Sequence, residues 1–171
     1  YQALALTDEC SLAGVVRAHM QCRRLAEEQG EQEEEGDARP LPRLLIGSEF
    51  LVRADEGPTA APLFKLLLLA RNLNGYGNLS QFITGLRRAS PTKGEYRLAW
   101  SQVEPAGLDD CLLILLLDRA ADDDALLAPA RWLLRHFSGR AWLGVELLRD
   151  SGDARWLQRL QGLSEQTALP L

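Results

Sequence analysis

Histidine and cysteine are scarce in this 171-residue sequence, and their scarcity excludes several kinds of site at once. The histidines are His19 and His136; the cysteines are Cys10, Cys22 and Cys111. Three widely spaced cysteines with no CxxC pair support neither a zinc knuckle nor a disulfide framework. Such usage fits a reduced, cytoplasmic compartment. Two histidines so placed give no credible Ser/His/Asp triad. Long apolar runs are also missing. The longest, Cys111 to Leu117, is far too short to cross a bilayer, and no signal-peptide pattern opens the chain. Nor is there an excess of positive charge. Nineteen Lys and Arg face 24 Asp and Glu, for a net charge of -5. A surface of that sign repels phosphate backbones, so the basic groove of any DNA-binding parent is expected elsewhere. Methionine occurs once, at Met20, so Tyr1 does not read as a natural start. Both ends are expected to be cut through a larger fold.

What remains is the balance of a soluble globular domain, 46% hydrophobic and 25% charged, long enough for a real core. Short apolar runs alternate with segments of helical period, the pattern of β/α units. Strands are expected at Ala3–Thr7, Leu44–Val52, Leu63–Ala70, Leu112–Leu117 and Ala141–Leu147. Most are apolar at both parities, which predicts cover on both faces, as in a parallel sheet or barrel. Lys93 to Val103 reads as a short strand or hairpin. Helices are expected at Ser11–Gln29, Tyr76–Arg88, Asp122–Phe137 and Ser151–Ser164. In the first, Leu12, Val15, Val16, His19, Met20 and Leu25 share roughly one face. Pro129 disturbs the early turns of the third. Asp150 or Ser151 is suited to cap the fourth, and Asp153 to its positive end. Glu27 to Pro42, EEQGEQEEEGDARPLP, reads as a solvated acidic loop.

Three blocks carry a resemblance. The first is the run from Ala3 through Thr7, Asp8, Glu9, Cys10 and Ser11 to His19, with the wording TDECSLAGVVRAH. The second is Leu45-Ile46-Gly47-Ser48-Glu49-Phe50. The third runs from Leu66 to Asn72, through Gly75-Tyr76-Gly77-Asn78-Leu79, to Lys93-Gly94-Glu95-Tyr96-Arg97. Their order and spacing resemble the N-terminal PHP (polymerase and histidinol phosphatase) domain of bacterial C-family DNA polymerase α subunits, closest to the error-prone branch. The resemblance covers essentially the whole chain. It implies an α/β fold, a distorted (β/α)7 barrel related to the TIM barrel and truncated at both ends. Residues 1–171 would then form one partial PHP domain with an acidic insertion at about 27–42.

Active domains of this family resemble polynuclear metal phosphoesterases, whose converging His, Asp and Glu ligands activate water. The resemblance places Asp8 and Glu49 at metal-ligand positions. Glu9 stands where metal-binding members carry histidine, and Lys65 stands near another histidine position. The two positions are therefore expected to be unoccupied remnants. No catalytic or cofactor-binding residue is expected in this stretch, and no cofactor; the magnesium of the parent polymerase belongs elsewhere. The implied partners are the polymerase core of the same chain, DNA through other domains, and a sliding clamp with mutasome proteins, but no membrane.

Other candidates have plainer readings. His19 is expected to be packed or hydrogen-bonded, and His136 to favour a helix C-terminus. Gly75-Tyr76-Gly77-Asn78 lacks phosphate-loop spacing and reads as a turn before a helix. Arg87, Arg88, Lys93 and Arg97 near Tyr96 are expected to be solvated helix-end charges, with contact to nucleic acid or an acidic domain as the other reading. Trp132 and Trp156 fall on helix core faces, Trp142 in a strand. Cys10 needs a nearby cation or base to act as a nucleophile. The expected function is a non-catalytic structural and interaction module of a translesion polymerase; the alternative is a metal-dependent phosphoesterase. A separate binding module acting through the acidic loop is a third possibility. Isolated, the chain is expected to aggregate or dimerise.

Overall fold

The computed structural model describes residues 1–30, 41–54 and 62–171. The middle of the acidic stretch, 31–40, lies outside the described residues. Six strands and four helices are found among those described: β1 (Ala3–Leu6), α1 (Val15–Gly30), β2 (Arg43–Arg53), β3 (Pro62–Ala70), α2 (Leu73–Ala89), β4 (Leu98–Ala99), β5 (Cys111–Leu117), α3 (Asp123–Phe137), β6 (Ala141–Leu143) and α4 (Asp153–Thr167). Two 3₁₀ turns, Trp100–Gln102 and Pro105–Leu108, lead from β4 to β5. The mixed α/β class agrees with the alternating pattern of the sequence.

The sheet runs β1-β2-β3-β5-β6, with β4 on β2. It is mixed rather than parallel. β1 and β4 lie parallel to β2, and β6 parallel to β5, but β3 is antiparallel to both β2 and β5. Only residues 54–61 join β2 to β3, too few for the crossover a parallel pair requires. No pairing joins β6 back to β1 among the described residues, so no barrel is detected there. Apolar residues at both parities did not distinguish these arrangements.

One face of the sheet carries the core. Phe50 and Val52 of β2, Phe64, Leu66 and Leu68 of β3, and Leu113 and Leu115 of β5 are buried with Leu79 and Leu86 of α2 and Leu126, Leu133 and Phe137 of α3. α4 packs on α3 and buries Trp156, Leu160 and Leu163, as its periodicity predicts. The opposite parity is only half-buried: Leu51, Leu67, Leu69, Leu112, Ile114 and Leu116.

Several elements depart from expectation. α1 buries only Val15, while Val16 and Met20 are exposed and so is His19, which is not a packed histidine. The helix also continues through Glu27 and Glu28, held by i,i+4 pairs to Arg23 and Arg24. α2 starts at Leu73, so Gly75 and Gly77 lie inside the helix rather than in a preceding turn. Asn72 supplies the cap, its side chain accepting from Gly75 N at 2.9 Å. Gly75 is required because a Cβ there would come within 2.1 Å of the Asp110 carbonyl oxygen. β6 stops at Leu143, four residues early. Gly144 crosses the side chains of Leu116 and Ile114 so closely that a Cβ would meet Leu116 at 2.2 Å. α3 begins at Asp123, capped by Asp122, and carries Pro129 buried in its interior. α4 has neither Asp150 nor Ser151 as its cap; Gly152 takes that place, while Asp150 accepts from Gly152 N at 2.7 Å.

Two aspartates tie loops to these helices. Asn74 and Asn72 hold the Asp110 carboxyl below its usual value near 3.8. Burial would raise Asp153, but donors from Arg119, Leu148 and Arg149 outweigh it and hold that group low as well. A depressed carboxylate stabilises the fold fully above its unfolded value and loses that contribution as pH falls through the folded one. Stability is therefore expected to decline below about pH 4, and to decline less steeply in an Asp110→Asn, Asp153→Asn double variant. Identical acid profiles would overturn this.

Candidate functional site

The residues of interest gather along the edge of β2 that faces away from β3. β1 pairs with Arg43 to Ile46, and the chain leaving it continues as a single bridge between Glu9 and Glu49. Cys10 N donates to the Glu49 carbonyl at 2.9 Å, and Glu49 N to the Asp8 carbonyl at 3.3 Å. Ser48 locks the junction from within. Its fully buried hydroxyl donates to the Asp8 carbonyl at 2.7 Å and accepts from Ser11 N at 3.0 Å. Asp8 and Glu49 are thus brought to neighbouring strands mainly by backbone bonds and one serine.

Beyond the bridge the ladder has a gap before β4 reaches Val52 and Arg53. Tyr96 fills it. The phenol oxygen accepts from Leu51 N at 2.8 Å and donates to Glu9 Oε1 at 2.9 Å. Burial raises the phenol above its usual pKa; the Leu51 amide works against this, and the Glu9 carboxylate adds to it. The ring stands edge-on to Phe50, 6.3 Å between centroids. Arg87 from α2 lies 5.5 Å from that ring and donates to the carbonyls of Cys10, Glu9 and Gly94. The expected basic cluster therefore divides. Arg87 is a half-buried clamp, and Arg97 donates to the Ala54 carbonyl at 3.4 Å, whereas Arg88 and Lys93 are exposed. Glu9, Arg53, Arg87, Tyr96, Arg97 and Gln102 line a cleft of about 1170 Å³ beside this edge.

Tyr96→Phe is expected to cost about 1–2 kcal/mol, because the Leu51 amide and the Glu9 carboxylate each lose their partner in one step. Urea denaturation checks it, and an unchanged midpoint would refute the role given to the hydroxyl.

Among the described residues, the donors near this edge are already engaged or apart from one another. Glu49 Oε1 lies 3.7 Å from the Lys65 ammonium, so a divalent cation at that oxygen meets a positive charge already in place. The pair is partly solvated and contributes at most about 1 kcal/mol; its importance is positional. Glu9 is engaged by Tyr96. Asp8 is exposed, and His19 and His136 are exposed on α1 and in the last turn of α3, where the His136 ring lies tilted against Trp132, 5.5 Å between centroids. Among the described residues no three His, Cys, Asp or Glu side chains converge as metal ligands. Cys10 is buried with φ 46°; burial pushes its thiol up, against the opposing charge of Arg87, which makes a poor nucleophile.

The whole chain is similar to a segment of bacterial proteins named error-prone DNA polymerase. It is 46% identical to that of Methylococcus capsulatus over 171 residues, covering 100% of this chain and 14% of the relative. For Aromatoleum aromaticum the identity is 43% over 172 residues, 99% of this chain and 14% of the relative. For Ralstonia nicotianae it is 42% over 179 residues, 100% and 15%. The chain thus spans about one-seventh of the length of these curated relatives. No family model matches it. Among the described residues no helix is long and apolar enough to cross a membrane.

Two residues carry more of this site than the sequence suggested. Ser48 and Tyr96 both belong to the stretches that carry the resemblance, but neither has a role attached to it there. Neither has a local signal, because the partners of each lie 37 to 87 positions away.

Proposed function

We propose that this chain is a non-catalytic, PHP-like part of an error-prone DNA polymerase, and that it serves the longer enzyme by packing against its polymerase core. The observation that carries the reading is that Glu49, one of the two family ligand positions, already faces the Lys65 ammonium, while Glu9, which replaces a family histidine, is held by Tyr96. Similarity along the entire chain to error-prone DNA polymerases supports the parent assignment. That parent, in the cytoplasm, extends DNA from deoxynucleoside triphosphates across damage with magnesium held outside this stretch, and meets DNA, a sliding clamp and mutasome partners through its other parts. Asp8 and Glu49 are remnants of the family's ligand positions.

The test uses the full-length polymerase with manganese or zinc and either pyrophosphate or a phosphate monoester. Phosphate release is expected to stay at the enzyme-free level and to be indifferent to Asp8→Asn and Glu49→Gln, while DNA synthesis continues. Rapid turnover lost in either variant would replace this reading with that of a metal-dependent phosphoesterase.

A further inference from the structure

Beyond β6, the chain forms an irregular segment that holds leucines away from the core. Leu148 is 68% exposed and Leu147 51%, while Leu63 on β3 is 39% exposed. Scattered exposed leucines are ordinary. Here, Leu148 and Leu63 border one groove of about 530 Å³ at the C-terminal end of β5, floored by Leu51 and Leu116.

Hydrogen bonds and ion pairs hold the segment at several points. Leu148 N and Arg149 N donate to the two Asp153 oxygens at 3.1 and 2.8 Å. Arg119 donates to the Glu146 carbonyl and pairs with Asp153 at 2.8 Å and Asp150 at 3.6 Å. Arg119 also lies 5.9 Å from the Trp156 ring of α4, so the side chain that holds the segment is itself packed on that helix. Arg149 adopts φ 61°, a left-handed conformation that costs a non-glycine residue roughly 1–2 kcal/mol. A loose loop would turn its leucines inward; this one is braced with Leu148 outward. An apolar contact held in advance loses less entropy when a partner arrives.

We propose that this groove receives an apolar segment of the same polypeptide from outside these 171 residues. The inference rests on the reading of the chain as part of a longer polymerase. Three observations favour that occupant. The relatives extend about seven times the length of this chain, so most of such a polypeptide lies outside it. A tethered segment acts at high effective concentration, so a shallow groove suffices. The rim cations, Lys65 and Arg119, already have carboxylate partners, which disfavours an anionic ligand. The groove also opens onto the half-buried sheet face through Leu51 and Leu116, and strands apolar at both parities call for cover on both sides.

The test is thiol labelling of Leu148→Cys and Leu63→Cys in the full-length protein, with each introduced thiol resolved by mass spectrometry and DNA synthesis as the check on folding. Native labelling at both positions is expected to be roughly tenfold or more slower than after unfolding in urea, and independent of protein concentration. Labelling at position 148 as fast as in urea overturns the proposal. So does protection that vanishes on dilution, which would identify a second copy as the occupant. A natural product no longer than this chain would instead remove the polymerase reading itself, leaving the two failures distinguishable.

Discussion

Replacing Phe50 with alanine is expected to destabilise the fold by about 3–5 kcal/mol, the largest effect of any single truncation near the site. Phe50 is fully buried, its ring edge-on to Phe82 at 5.2 Å and to Tyr96 at 6.3 Å. Its removal leaves a cavity between β2 and α2 and takes away the support of the phenol that bridges Leu51 and Glu9. Urea denaturation followed by tryptophan fluorescence measures the loss, and Phe50→Leu, which keeps most of the volume, is expected to recover much of it. A cost below about 1 kcal/mol would mean that the site can collapse around the gap.

The second large effect is expected at Ser48. Ser48→Ala barely changes the volume of the side chain, yet it removes both hydrogen bonds of a fully buried hydroxyl. The Ser11 amide is left without that acceptor. The Asp8 carbonyl keeps only the longer bond from Glu49 N at 3.3 Å. An unsatisfied amide costs about 1–3 kcal/mol and the second lost hydrogen bond about 1 kcal/mol more, so the variant is expected to lose about 2–4 kcal/mol. Hydrogen exchange should rise at the Ser11 amide more than at Leu113, which lies across the sheet. Equal protection in variant and parent would remove Ser48 from this role.

Much of the architecture was legible because burial enforces periodicity. Trp156, Leu160 and Leu163 mark α4 in the sequence and are its buried face in the structure. The strand centres were legible for the same reason, since runs such as Cys-Leu-Leu-Ile-Leu-Leu-Leu leave few alternatives. Strand direction was not, because an apolar run looks the same from either end; only the short connection from β2 to β3 settles it. α1 misled because Val16, His19 and Met20 fit a helical face that packing does not use. Of the site, Glu49 and Lys65 were singled out separately, but their ion pair depends on β2–β3 register, with Lys65 opposite Leu51. The clamping role of Arg87 was invisible for a related reason: its acceptors are backbone carbonyls, which every residue possesses.

β2 meets three different partners along one edge: β1, then the Glu9 bridge with the Tyr96 hydroxyl, then β4. Such an edge acts as a ruler. Sliding β2 by one position would uncouple all three attachments together and turn Phe50 and Val52 out of the interior. Single-residue insertions or deletions within Arg43–Arg53 should therefore be far less tolerated than length changes at exposed turns.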